Sequence, residues 1–441
     1  MSNTLAASDS TVFRATVLGS SLLAESQYDV AIADLEPTAD PKAIAKHLIR
    51  KELITKYQAE RLLAGRTDGF VVGQYRILDE LGRGGMGRVY KALHTSMSRL
   101  VAMKVISQNL LKTEKARDFF QREVLAVAKL IHPNIVTAYD ARQSEEICYL
   151  VMEFVDAPTL ADTIRNRPPM PFQHAVEIIR QTAAGLSCAH ALEIVHRDIK
   201  PSNLLVQNSI AGPLVKIVDF GLARLNVGDE APKASSVNGG AMVGTAEYIS
   251  PEQARNYNNV DARSDIYSLG CTFYLLVTGS VPFPGGTSMQ KALRHLTDQP
   301  VPVRQLRPDT PPPLAAIIER MLQKKPEDRF QSCLELLAAL EGFGGPISSF
   351  RLPSYRPMST EQDFHVPTTV EDPWANLADP SSQTLASVDT PTGEQPAPKK
   401  KEVRKPYRKQ AKHQMIWITI AVLVFCLIVA GIVGVVLKKV G

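Results

Sequence analysis

Apolar positions in this chain recur with two different periods, and near its end they run together without interruption. From Met415 to Leu437 the sequence reads MIWITIAVLVFCLIVAGIVGVVL, 23 residues with no charge. As a helix rising ~1.5 Å per residue, the run spans roughly 35 Å, which is enough to cross a bilayer, and it predicts one transmembrane helix over 415–437. A helical period governs the region after residue 40. Ile44, Leu48 and Ile49 share a face, Leu53 and Ile54 precede a cap at Thr55, and Tyr57, Leu62 and Leu63 continue the pattern to Gly65. A small helical segment is predicted over 41–70, packed as an appendage on whatever follows it. Strand-like runs then appear at YRILDE (75–80), VYKALH (89–94) and VAMK (101–104), followed by helical spacing from Glu114 to Leu130. Residues 1–40 are polar and lack a sustained period, so they are expected to be poorly ordered. Residues 344–398, rich in Pro, Ser, Thr and acidic side chains, predict a disordered linker, which leaves 75–342 as the one long compact region.

Composition narrows the class. The chain has 441 residues, 44% hydrophobic and 22% charged, which excludes a wholly disordered or collagen-like protein. Its five cysteines, at 148, 188, 271, 333 and 426, form no CxxC pair, so a zinc or thioredoxin-type site is not expected and a reducing compartment is. The formal charge of +5 is a local property. Residues 399–414 form a basic juxtamembrane segment, with eight Lys or Arg against Glu402 between Lys399 and Lys412, and Lys438 and Lys439 add two more charges. What precedes them is mildly acidic, and nucleic acid is not expected as a partner. The basic cluster on the N-terminal side of the apolar run favours the cytoplasm for everything before residue 415, and the residues from Met1 to Ser10 lack the basic start of a signal peptide. A single-pass membrane protein held by a C-terminal anchor is the expected localisation.

Within 75–342, the run Leu81-Gly82-Arg83-Gly84-Gly85-Met86-Gly87-Arg88-Val89 lies between two strand-like segments. Glycines at 82, 84 and 87 let backbone N–H groups approach phosphate oxygens without interference from a Cβ. Such a triplet also opens dinucleotide-binding helices, but here a second strand follows instead of a helix. Lys104 lies on the next strand, within reach of a phosphate, and Glu123 on the following helix is a candidate to hold it by an ion pair. Farther along come His196-Arg197-Asp198-Ile199-Lys200-Pro201-Ser202-Asn203 and then Val218-Asp219-Phe220-Gly221.

These four motifs, in this order, make the chain resemble a eukaryotic-type (Hanks-type) serine/threonine protein kinase, and HPNIV at 132–136 with GTAEYISPEQ at 244–253 resembles the bacterial subgroup. The resemblance implies an α+β, two-lobed protein kinase fold: a small β-rich lobe over 75–152, a hinge at 153–155 and a larger, mainly α lobe over 156–342. It implies ATP as co-substrate with magnesium, or manganese in its place. Lys104 would bind the α and β phosphates while paired to Glu123, and Asp219 and Asn203 would hold the metal. Asp198 would accept the proton of the substrate hydroxyl, and Lys200 would steady the γ-phosphate. The adenine would lie between Val89 and Ala102 on one side and Leu205 on the other, with Met152 as gatekeeper and the backbone of Glu153 and Val155 reading its edge. Glu252 would pair with Arg329, and Asp265 would brace the catalytic loop. Lys200 with Thr245 resembles the serine/threonine class, so the implied partners are proteins with Ser or Thr acceptors.

Arg197 beside Asp198 makes Ser235 and Ser236 candidate phosphorylation sites on the activation loop, with phosphate accepting charge-assisted hydrogen bonds from the guanidinium. Confinement by the anchor would favour self-association and autophosphorylation in trans, and the basic segment could bind anionic lipid. The alternatives are a pseudokinase or anchored scaffold, against which stand Lys104, Asp198, Asn203 and Asp219, and a small-molecule kinase, disfavoured by GTAEYISPE.

Overall fold

In the computed structural model the described residues are 9–36, 39–111, 113–143, 147–209, 212–220, 246–256 and 260–343. The apolar run, the linker, Ser235, Ser236 and Thr245 lie outside them. Among the described residues no helix is long and apolar enough to cross a membrane.

The chain begins with four helices: α1 (Ser10–Gly19), α2 (Glu25–Ile32), α3 (Pro41–Arg50) and α4 (Lys56–Leu63). Each of three starts is capped by a side chain accepting a backbone N–H: Asp9 for α1, Asp40 for α3 and Thr55 for α4. The pair α3–α4 occupies the segment where helical spacing is legible. The ordered α1 and α2 correct the expectation of a poorly ordered 1–40. Neither helix carries a long amphipathic pattern of its own. They are held because Phe13, Val17, Leu22 and Tyr28 share one core with Leu48 and Leu62 of the later pair.

Six strands follow in one antiparallel sheet, with spatial order β1-β2-β3-β4-β6-β5. They are β1 (Val71–Val72), β2 (Tyr75–Gly84), β3 (Gly87–His94), β4 (Arg99–Ile106), β5 (Ala138–Gln143) and β6 (Cys148–Glu153). β4 is central and buried on both faces. Its period of two sends Val101, Met103 and Val105 into one cluster with Ile77 and Tyr90, and Ala102 and Ile106 into another with Phe120 of α5 (Glu114–Val127). Lys104 is therefore on the α5 side of the sheet. β2 and β3 are closed through Gly84 opposite Gly87. Gly87 has φ +143°, and a Cβ there would stand 1.9 Å from the Val105 carbonyl oxygen, so no larger residue fits the hairpin.

The second lobe is helical around α7 (Phe172–His190) and α9 (Ala262–Thr278), with the hairpin β7 (Leu204–Ser209) and β8 (Gly212–Ile217) packed on α7 and the short α6 (Leu160–Ile164) beside β7. α9 is apolar and buried nearly all round, and ends at Gly279, whose φ of +77° supplies the left-handed cap. α8 (Pro251–Arg255), α10 (Ser288–Thr297), α11 (Val303–Leu306), α12 (Pro312–Met321) and α13 (Cys333–Leu340) complete the lobe.

One ion pair ties α8 to the far end of this lobe. Arg329, with no exposure, donates from Nη1 and Nη2 to the two oxygens of Glu252 at 2.7 and 2.8 Å, and Ser264 Oγ adds a third bond to the carboxylate at 2.5 Å. Burial pushes the Glu252 carboxyl up, but the hydrogen bonds and charge of Arg329 more than offset this and hold it below the ordinary value. A depressed carboxylate contributes stability that is present above its unfolded pKa and lost as pH falls through the folded one. Arg329→Met, which leaves Glu252 buried without its cation, is expected to lower unfolding free energy by about 3–5 kcal/mol in urea titrations at pH 7. The deficit should shrink as pH falls below the carboxylate range, and an unchanged deficit at low pH would show that the pair is not its source.

Candidate active site

A buried carboxylate fixes the loop that carries the most chemistry. Asp265, fully buried on α9, accepts the backbone N–H of His196 on Oδ2 and of Arg197 on Oδ1, at 2.8 and 2.7 Å, and His190 Nε2 at the end of α7 reaches Oδ2 at 2.8 Å. Burial pushes this carboxyl up, yet the bonds from His190 and the loop hold it low and charged. Arg197 has φ +67°, a left-handed conformation that costs a residue with a Cβ about 1–3 kcal/mol. It is held at both ends, because Gln253 Nε2 on α8 donates to the Arg197 carbonyl at 2.8 Å.

His196 joins this loop to the next motif. Its Nδ1 accepts the Asp198 N–H at 3.2 Å, so its Nε2 must carry the proton, which it donates to the Val218 carbonyl at 2.9 Å. Val218 N–H in turn donates to the Asn203 carbonyl at 3.0 Å. The two motifs, about twenty residues apart, are thus bonded at the backbone immediately before Asp219, which also has φ +67°.

Between them lie the polar groups expected to act together. Lys200 Nζ is 2.8 Å from Asp198 Oδ2, and Asn203 Nδ2 donates to the same oxygen at 3.0 Å and to the Asp198 carbonyl at 2.8 Å. Asn203 sits in a 3-10 turn, Pro201–Asn203, that delivers the chain into β7. Its amide nitrogen is committed to Asp198, which leaves its amide oxygen as the atom that could ligate a cation. A carboxylate and an amide oxygen suit a hard divalent cation such as magnesium.

Lys104 departs from the expected pairing. Its ion-pair partner is Asp219 Oδ1, at 2.8 Å, rather than Glu123 on α5. Lys104 is 4% exposed, and an ammonium so nearly removed from water is stabilised by the nearest carboxylate that shares its pocket. Desolvation pushes the Asp219 carboxyl up, but Lys104 above all, with Lys200, holds it below the ordinary range.

The residues expected to enclose the adenine are spread over three strands. Val89 on β3 lies opposite Lys104, and Ala102 on β4 lies opposite Met152 on β6. Leu205 on β7 makes an isolated bridge with Thr159 at the start of α6. Glu153 donates its N–H to the Thr137 carbonyl at 2.8 Å, and its carboxylate pairs with Lys216 at 2.9 Å. Val155 follows, with its carbonyl taken by Ala157 N–H at 3.0 Å. Around the glycine loop, Leu81 is exposed, Arg83 pairs with Glu80, Arg88 lies 3.7 Å from Glu80 Oε2, and the Met86 carbonyl accepts Ser107 N–H at 2.9 Å. A Cβ at Gly82, Gly84 or Gly85 would meet nothing within 4 Å, so the loop face is open.

Sequence reasoning missed Gln253 and His196 as parts of this assembly. Ser250-x-x-Gln253 is a legible capping box, but nothing in the sequence shows that Gln253 also reaches Arg197. Asp265→Asn, which swaps an acceptor for a donor facing two backbone N–H groups, is expected to lower stability by about 1–3 kcal/mol and to disorder the His196–Asp198 backbone. Amide hydrogen exchange should show faster exchange at His196 and Arg197, and unchanged protection there would refute the bracing role.

The comparisons with known proteins agree with this geometry. The family described as "Protein kinase domain" matches residues 75–339. Serine/threonine-protein kinase PknB of Mycobacterium leprae is 39% identical over 271 residues, which are 60% of this chain and 42% of that protein. PknB of Mycobacterium tuberculosis is 37% identical over 278 residues, covering 62% and 43%. The chain therefore spans about two fifths of the length of these curated relatives. A crystal structure of a double mutant of the Mycobacterium tuberculosis PknI kinase domain matches with a TM-score of 0.50 at 26% identity, over 63% of this chain and 99% of that one. With more than half of its length matched by the family, the chain belongs to the protein kinase family, with a serine/threonine kinase domain of the bacterial PknB type.

Proposed function

We propose that the full chain transfers the γ-phosphoryl group of ATP to Ser or Thr hydroxyls of proteins, from a membrane-anchored position facing the cytoplasm. The observation that supports the transfer most directly is the Asp198 cluster, with one carboxylate oxygen tied to both Lys200 and Asn203. Held this way, Asp198 orients an acceptor hydroxyl and takes its proton as the oxygen–phosphorus bond forms and the bond to the ADP oxygen breaks. Lys200, beside the base, places a positive charge where the transferring group gathers negative charge. Lys104 would bind the α and β phosphates, with Val89, Ala102 and Leu205 enclosing the adenine and the backbone of Glu153 and Val155 at its edge. Residues 81–88 would cover the phosphates. Asn203 and Asp219 would hold magnesium or manganese, which when bound neutralises phosphate charge. Glu123 remains a proposed partner of Lys104 in the nucleotide-bound arrangement.

The anchoring rests on the charge-free run at 415–437 and the basic segment before it. Lipid binding by that segment, self-association and autophosphorylation at Ser235 or Ser236 belong to the same reading.

Asp198→Asn is expected to lower phosphate transfer to a generic protein substrate by about 10²–10⁴-fold while ATP still binds. Radiolabelled transfer beside calorimetric nucleotide titration checks this, and a mutant as fast as the wild type would exclude Asp198 as the base. For the anchor, replacing Leu423 and Leu427 together by Arg should move the full chain from the carbonate-washed membrane pellet to the supernatant, since each charge at the span's centre costs about 2.5–3.5 kcal/mol on insertion scales. A wild-type chain found wholly in the supernatant would refute anchoring.

A further inference from the structure

The strand that becomes the glycine loop does not run straight along its neighbour. Ile77 lies opposite Ala92 and Asp79 opposite Lys91, which leaves Leu78 as an extra residue. Glu80 lies opposite Tyr90 and Gly82 opposite Val89, which leaves Leu81 as a second. Each extra residue is a bulge that bends β2, increases its twist and takes one residue out of the ladder. The position of the first bulge fixes which residues of β2 face the nucleotide, because a slip by one residue would send every later side chain to the opposite face.

The N-terminal helices hold that bulge. Thr55 Oγ1 donates to the carbonyl of the displaced Leu78 at 2.6 Å, and Gln58 Nε2 donates to the Ile77 carbonyl at 2.6 Å. On the same outer side, Ile77 N–H donates to the Phe70 carbonyl at 2.8 Å, where β1 has already ended its pairing with Tyr75 and Arg76. Both side chains are preset for the task by the capping box of α4. The Thr55 hydroxyl accepts Gln58 N–H at 3.2 Å, and Gln58 Oε1 accepts Thr55 N–H at 2.9 Å, so the hydroxyl proton and the Nε2 protons are aimed at the strand. Gln58 is 2% exposed, and the Tyr57 ring packs on Tyr90 with centroids 6.3 Å apart. Tyr90 stands opposite Glu80, which in turn binds Arg83 inside the loop. The four helices lie outside the family match at 75–339, yet they reach the strand four residues before Gly82.

We propose that Thr55 and Gln58 are positioning residues for nucleotide binding: by fixing the bulge at Leu78 they set the register of the glycine loop, and the N-terminal helical module is part of the phosphate-binding apparatus. The proposal rests on the kinase reading given above.

The cap and the clamp can be separated by substitution in the full chain. Thr55→Asp keeps a capping oxygen for α4 but removes the proton donated to Leu78, and Gln58→Glu keeps the returning oxygen but removes the donor to Ile77. Thr55→Ser keeps both. Losing one such bond is expected to raise the KM for ATP, and the calorimetric Kd for MgADP, about fivefold in Thr55→Asp and in Gln58→Glu, with kcat unchanged and Thr55→Ser equal to the wild type. Equal nucleotide affinities in all four proteins would overturn the proposal. So would a fall in thermal midpoint with affinity unchanged, which would mark Thr55 and Gln58 as stabilising the helix alone. A wild type that binds MgADP but transfers no phosphate would overturn the kinase reading, and the MgADP affinities would still decide this one.

Discussion

Everything in the cleft depends on a carboxylate that water cannot reach. Asp265 is charged and fully buried, a state that costs several kcal/mol unless nearby donors compensate it. The donors are the backbone N–H groups of His196 and Arg197 and the ring of His190, so the demand of one buried charge dictates the path of the chain around Asp198. Arg197 accepts an unfavourable φ because both its N–H and its carbonyl are claimed. The strain is local, and its compensation is spread over α7, α8 and α9. From there the order passes through His196 to Val218 and sets down Asp219 beside Lys104.

The parts of this arrangement that were legible in the sequence are those where chemistry permits few residue types. Asp198, Asp219 and the glycines at 82, 84 and 87 stand out as ordered motifs, and it is the resemblance these motifs carry that implies the two-lobed fold and the roles of a base, a metal carboxylate and an open phosphate loop. Thr55 was legible as a cap because helix starts favour a hydroxyl or carboxyl that accepts a backbone N–H. The Glu252–Arg329 pair followed from the resemblance alone, and the structure has it with both carboxylate oxygens engaged.

What escaped the sequence was decided by packing. α1 and α2 carry too little periodicity to announce themselves, and only the shared burial of Phe13 and Tyr28 with Leu48 accounts for their order. The partner of Lys104 depends on where the backbone of Asp219 is left by His196, which no local pattern encodes. The bulges at Leu78 and Leu81 are likewise invisible, since a bulge is defined by the partner strand and not by its own residues. Gln253 illustrates the limit from the other side. Its capping function can be read from Ser250, but its second bond, to a carbonyl 56 residues away in sequence, cannot.

The order of the six strands has a consequence for how molecules of this protein meet one another. A sheet ends in two rows of unpaired backbone groups, each of which can recruit a strand from another chain. On the β2 side, Thr55 and Gln58 of the same chain already take the carbonyls of Leu78 and Ile77. The opposite row belongs to β5, whose residues from Tyr139 to Gln143 are exposed and which pairs only with β6 among the described strands. There the register breaks between Ala138 and Asp140, Arg99 lies over the Tyr139 ring at 4.0 Å, and Asp140 and Arg142 carry charge along the exposed strand. An incoming strand would meet a kink and fixed charges instead of a flat template. Growth of one sheet into the next through β5 is thus obstructed by geometry and charge.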